Sequence, residues 1–294
     1  MPTARVNGID IWYERSGSPG PLLVLTHGFA GPTAGWPPII EQFKRRFDLV
    51  LYDVRAHGLT TVPDDSGTVT MPQFAADLAG LLDVLGIERA HIAGVSMGGM
   101  ISAQFACDYP ERVQSLLLCD TVAGNMQGPD EAANEVERTV LNAFERMRDI
   151  VEKHGMAGLI ERENRYRHES DQYAHLQTTS LDEQDEKNRC MKTEHMTAKG
   201  FLAANRAIRE RSDLTSRTPK ITAPTQVSCG EWDLFYPCAL RDHALIPGSR
   251  LVTIRGAAHS CESFHPDRWL QACTTFIADV EAGRNVTGEF ALGD

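Results

Sequence analysis

A chain of 294 residues, 42% of them hydrophobic, is long enough to bury a large core, so disorder is not its default state. Its 29 basic and 40 acidic residues leave a formal charge of −11, which argues against nucleic acid and anionic membranes as partners. Seven cysteines without a C-x-x-C pair suit reduced thiols; the opening MPTARVNGIDIWYE lacks the apolar core of a signal peptide, and no apolar run would span a bilayer. A cytoplasmic protein is expected.

In chain order, ARVNGIDIWYE reads as two short strands around the hairpin pair Asn7-Gly8. PLLVLTHG and FDLVLYDV are continuous apolar runs, as in strands buried on both faces. MPQFAADLAGLLDVLGI repeats apolar residues at Phe74, Leu78, Leu81, Leu82 and Leu85 and stops at Gly86, a helix with a glycine cap. ERAHIAGV is a strand, MGGMISAQFACDYPERV a helix stopped at Pro110, and VQSLLLCDT another buried strand. From residue 122 to 220 the texture turns helical and charged, with Val136, Val140, Phe144, Met147 and Val151 at helical spacing and a further helix over TAKGFLAANRAIRERSDL. APTQVSCGE and SRLVTIRGA are two more strands, and DRWLQACTTFIADVE a closing helix. The alternation predicts an α/β fold, a mostly parallel sheet with helices on both faces. Its core is split into residues 1–121 and 221–294 by a helical insertion, 122–220.

The chemistry concentrates at GVSMG, Gly94 to Gly98, placed between a strand and a helix. Glycines on both sides of Ser96 permit the sharp turn that holds a serine oxygen clear of the backbone. A serine hydroxyl needs a base, and histidine suits because its ordinary pKa lies near neutrality. A carboxylate must then orient the imidazole. Loops at the C-terminal ends of parallel strands are where such partners belong. Asp233, in VSCGEWDLFYP, and His259, in VTIRGAAHSCESFHP, sit in two such loops. Asp120, ending the strand after the serine helix, is the competing acid, and His265 the competing base. In LTHGFAG a glycine-bearing turn offers the Phe29 N–H, which together with that of Met97 would bind an oxyanion. His27 is read as fixing that turn. Trp36 either lines the pocket or belongs to the core, and Met191, Glu194, His195 and Met196 face substrate or solvent. No spacing of Cys229, Cys238 or Cys261 suggests a metal, and the chemistry calls for no cofactor.

At these residues the chain resembles the α/β-hydrolase superfamily over nearly its whole length, through HGFAG, DVRAHG, GVSMGG, GEWDLFYP and GAAHSCESFHP. The order Ser96, Asp233, His259 is that superfamily's order. The resemblance implies that the insertion is a helical cap, and that Asp53 and Arg55 are structural. It departs from the pattern at Ala56, where glycine is usual, and at Phe264-His265-Pro266, with Glu262 displaced earlier. Within the superfamily it looks most like esterases and enol-lactonase-like hydrolases, which implies a small-molecule ester or lactone as substrate. The alternatives are carbon–carbon bond hydrolysis of ring-cleavage products, cofactor-free oxygenase or perhydrolase chemistry, and a slow-turnover ligand receptor. The sequence does not set the oligomeric state.

Overall fold

The computed structural model describes residues 2–124, 131–169 and 195–293. Strands β1 (Thr3–Val6) and β2 (Ile9–Arg15) pair antiparallel, with Val6 opposite Ile9. Asn7 and Gly8 between them take φ values of 44° and 80°, the positive pair that a two-residue hairpin loop demands. β2 pairs antiparallel with β4 (Asp48–Tyr52), and every later pairing is parallel. With β3 (Leu22–Thr26), β5 (Ala90–Val95), β6 (Val113–Cys119), β7 (Thr225–Gly230), β8 (Arg250–Ile254) and β9 (Gly288–Leu292), the sheet runs β1-β2-β4-β3-β5-β6-β7-β8-β9.

Alternate residues of the central strands feed two cores. Val24, Val50, Ile92, Leu116 and Leu118 pack under α2 (Met71–Val84) and α3 (Met97–Asp108). Leu23, Leu25, Leu49, Ala93 and Leu117 pack under α1 (Ile40–Arg46) and the C-terminal helix Pro266–Glu281. This is why those strands read as unbroken apolar runs: each face is covered.

Between β6 and β7 run α4 (Glu131–Glu169), interrupted at Gly155, and α5 (Ala198–Arg209). The Asn205 amide of α5 donates to the Phe144 carbonyl of α4 at 2.9 Å. After β7 come α6 (Tyr236–Leu245), the short α7 (Cys261–Phe264) and the C-terminal helix, α8. Four helices and strands among the described residues were not expected from sequence: α1, α6, α7 and β9. β9 is an edge strand with four of its five residues exposed, so neither alternation nor an apolar run marks it. No helix among the described residues is long and apolar enough to cross a membrane.

Candidate active site

The loops at the C-terminal ends of β3, β5, β6, β7 and β8 converge. Ser96 stands between β5 and α3 at φ 55°, ψ −117°, a conformation a non-glycine residue holds only when its surroundings enforce it. They do so here through the backbone. The Ser96 N–H donates to the Cys119 carbonyl at 2.9 Å, and the Thr121 hydroxyl donates to the Ser96 carbonyl at 2.6 Å. Both flanking glycines are demanded by close approach: a Cβ on Gly94 would lie 2.1 Å from the Gly98 carbonyl oxygen, and one on Gly98 2.1 Å from that of Thr26.

His259 Nε2 lies 3.1 Å from Ser96 Oγ, and His259 Nδ1 lies 2.8 Å from Asp233 Oδ2. With Nδ1–H donating to the carboxylate, Nε2 meets the serine hydroxyl as acceptor. Asp233 is 4% exposed, and its other oxygen accepts the Phe235 N–H at 2.9 Å. Burial opposes the charge of Asp233, but the facing imidazolium and these donors outweigh it, so its pKa is lowered. Burial likewise opposes the His259 imidazolium, yet Asp233, with Asp120 and Glu262 behind it, raises His259 to about 9. The His259 side chain is 41% exposed.

The turn that carries the expected oxyanion donors lies against the serine. A Cβ at Gly28 would rest 3.5 Å from Ser96 Cβ. Among the described residues, no backbone acceptor takes the Phe29 or Met97 N–H. His27 fixes this turn: Nε2 accepts the Val54 N–H at 3.0 Å and Nδ1 donates to the Gly28 carbonyl at 2.8 Å, while burial lowers its pKa to about 4 and keeps it neutral. Asp53 braces the next residues by accepting the Thr33 N–H at 2.6 Å, and Arg55 pairs with buried Asp77 at 2.6 Å.

The competing candidates separate cleanly. Asp120 does not bond His259; its oxygens accept the N–H groups of Gly230 and Cys261. His265 starts α8 and hydrogen-bonds the Gly256 backbone instead of Ser96. Trp36 as a pocket residue is a correction: it is 8% exposed in the core under α1 and α8, its ring stacked on Trp269 at 5.9 Å. Met196 is 5% exposed and belongs to the other core, whereas Met191 and Glu194 lie outside the described residues. Ligand atoms of Asp120, Cys229 and Asp233 lie within 4.8 Å of one another, a composition a metal could use. Burial raises the Cys229 thiol well above its ordinary value, and that S–H faces Asp233 Oδ2 at 3.6 Å, so the thiol is placed as a donor to the acid.

Sequence reasoning missed an aromatic cluster. Phe29 packs on Phe201 of α5 at 4.8 Å and on Phe144 of α4 at 5.1 Å, which brings the inserted helices onto the turn at Phe29. The only prior signal was Phe144 in the helical stripe. A groove of about 550 Å³ between α2 and α3, lined by Gln73, Cys107, Asp108 and Arg217, shares no residue with this site.

The α/β-hydrolase fold profile matches residues 21–261. The chain belongs to the α/β-hydrolase fold family. Among relatives of this family, the candidate carbamate hydrolase RutD of Escherichia coli O17:K52:H18 is 25% identical over 251 residues, 84% of this chain and 83% of its own. Two solved family members are similar throughout. The enol-lactonase of Burkholderia xenovorans LB400 superposes with a TM-score of 0.72 at 25% identity, covering 94% of this chain and 100% of its own. A thermophilic esterase of Thermogutta terrifontis gives 0.76 at 28% identity, covering 95% and 97%.

Proposed function

We propose that this chain is a cofactor-free serine hydrolase of small carboxylic esters or lactones, with Ser96, His259 and Asp233 as its triad. The observation that carries the reading is the continuous relay from buried Asp233 through His259 to Ser96, at 2.8 and 3.1 Å, ending on a backbone-enforced turn. Ser96 Oγ attacks the carbonyl carbon as His259 Nε2 takes its proton. The Phe29 and Met97 amides bind the oxyanion. The tetrahedral adduct collapses, His259 returns the proton to the departing oxygen, and an acyl-enzyme remains. Water, deprotonated by His259, then releases the acid and restores Ser96. A lactone follows the same steps, its leaving oxygen staying tethered as a hydroxy acid.

Residues 122–220 act as a cap, whose described helices α4 and α5 reach the turn at Phe29 through Phe144 and Phe201. The esterase and enol-lactonase likeness favours oxygen leaving groups. A carbon leaving group needs a further device to protonate carbon. Carbon–carbon hydrolases of this kind carry asparagine and tryptophan at the positions of Val95 and Ser260, and this chain has neither. The test is a fluorophosphonate probe, expected to label Ser96 and nothing else, combined with a panel of activated esters, lactones, carbamates and vinylogous diketones. Ser96→Ala should lose activity by several orders of magnitude, because a triad acts as a unit. Labelling elsewhere, or diketone cleavage without ester turnover, overturns the assignment.

A further inference from the structure

Asp120 is a buried acid that the acylation steps do not use. It follows β6 with φ 47°, a left-handed conformation that Asp and Asn tolerate better than other side chains. It is 1% exposed, yet its carboxylate is fully engaged. Oδ1 accepts the Gly230 N–H at 3.0 Å, three residues before Asp233. Oδ2 accepts the Cys261 N–H at 2.8 Å, two residues after His259. The Cys261 thiol adds a weak donor to Oδ1 at 3.4 Å. Its neighbours in the same turn hold the nucleophile: Cys119 accepts the Ser96 N–H, and Thr121 donates to the Ser96 carbonyl. One tripeptide therefore touches the serine, acid and histidine loops.

We propose that Asp120 is a positioning residue, which clamps the His259 loop to the Asp233 loop and sets a second negative charge behind the imidazole. The proposal rests on the triad reading above. Without Asp120 both buried N–H groups would lose their acceptor, and the two loops would keep only the Trp232 N–H to Ala257 carbonyl bond, the Glu231 contacts and the Asp233–His259 bond itself. The electrostatics agree. Burial first, and then Asp233, raise Asp120 to about 6, and Asp120 in turn raises His259. The titratable groups facing this pair are Asp233 and Cys229 from the β7 side, and Glu262 and Cys261 from α7.

Asp120→Asn tests this while keeping shape and backbone. The amide oxygen can accept one N–H, but its NH2 then confronts the other. The expected result is a kcat lower by about 10- to 100-fold with KM within about threefold of the parent. The ascending limb of rate against pH should also move to lower pH, because a negative charge beside the imidazolium is gone. A merely structural residue would not move that limb. Parent-like kcat and an unmoved limb overturn the proposal. If the parent fails to label at Ser96 with a fluorophosphonate, the triad reading itself has failed, which is a separate outcome. Should Asp120→Asn not fold, the His259 imidazole resonances of Glu262→Gln decide. They should still report a neighbouring ionisation near pH 6, and its absence refutes the coupling.

Discussion

Helix α4 is tied to the core through buried Arg241, and that tie has a calculable pH signature. Arg241 of α6 donates to Glu137 of α4 at 2.7 Å and to Asp242 at 2.9 and 3.0 Å, while the other Asp242 oxygen accepts the Ala123 N–H at 2.7 Å. The side chains of Arg241, Glu137 and Asp242 are 2%, 0% and 1% exposed. Burial already pushes Asp242 up to about 6 despite the arginine. Arg241→Met keeps the length and removes the cation. Breaking a buried pair in this way costs about 3–5 kcal/mol. A stranded carboxyl can escape by taking up a proton, at about 1.4 kcal/mol per pH unit above its ordinary pKa, so roughly 5 kcal/mol at pH 7.5 is the ceiling for one group. The sign follows: folded pKa values raised above the unfolded ones give a penalty that grows with pH and shrinks on acidification. Going from pH 7.5 to 5.5 should therefore recover roughly 2–3 kcal/mol of the loss. Urea unfolding of parent and variant at both pH values, with slopes checked for equality, measures this. A loss under about 1 kcal/mol at pH 7.5, or the same loss at both pH values, would refute the idea that this network anchors the helix.

The remaining expectations concern the site. Rate should rise with pH through the ionisation of His259, which Asp233 raises to about 9 against the opposing effect of burial; Asp233→Asn should shift that limb downward and cut kcat by orders of magnitude, and pH–rate profiles of both proteins decide it. Gly98→Ala should abolish activity or folding, since its Cβ would lie 2.1 Å from the Thr26 carbonyl, whereas Gly31→Ala, with its nearest contact at 3.5 Å, should be harmless; a competent Gly98→Ala would contradict the geometry. Phe144→Ala removes a ring packed on Phe29, and should lower stability by about 1–3 kcal/mol while reducing kcat/KM; unchanged kinetics would separate α4 from the oxyanion turn.

The parts of this molecule legible in sequence are those whose physics is local. Gly94 and Gly98 announce a backbone crossing that only glycine permits, and the apolar runs of β3 and β4 announce burial on both faces. Asp233 and His259 stood out as candidates because strand, turn and polar residue follow each other within a few positions, and the structure brings the two together. β9 was missed because its evidence is non-local: it exists through main-chain pairing with β8, and its exposed side chains carry no pattern. Trp36 could not be placed because the side of the sheet it covers depends on the path of a loop with no periodicity. The choice between Asp120 and Asp233 was a matter of distance alone. Both end strands, both are buried, and only the fold shows that one faces the imidazole while the other faces two amides.

The charge around His259 also bears on the bond that is cleaved. Asp233, Asp120 and Glu262 all lie behind one imidazole, with Glu262 raised to about 7 by burial and by Asp120. Such surroundings favour the imidazolium, so in the proposed triad His259 would be neutral and able to take the serine proton mainly above about pH 9, and once protonated would give the proton up reluctantly. Where His259 is neutral, attack by Ser96 would be helped; protonation of the leaving group would be helped less. Leaving groups that depart with little protonation gain most from that balance, and enolates, phenolates and activated alkoxides are of this kind. Amines and carbanions, which must receive a proton to leave, gain least. On the proposed triad, the same carboxylates would favour enol lactones and activated esters as substrates.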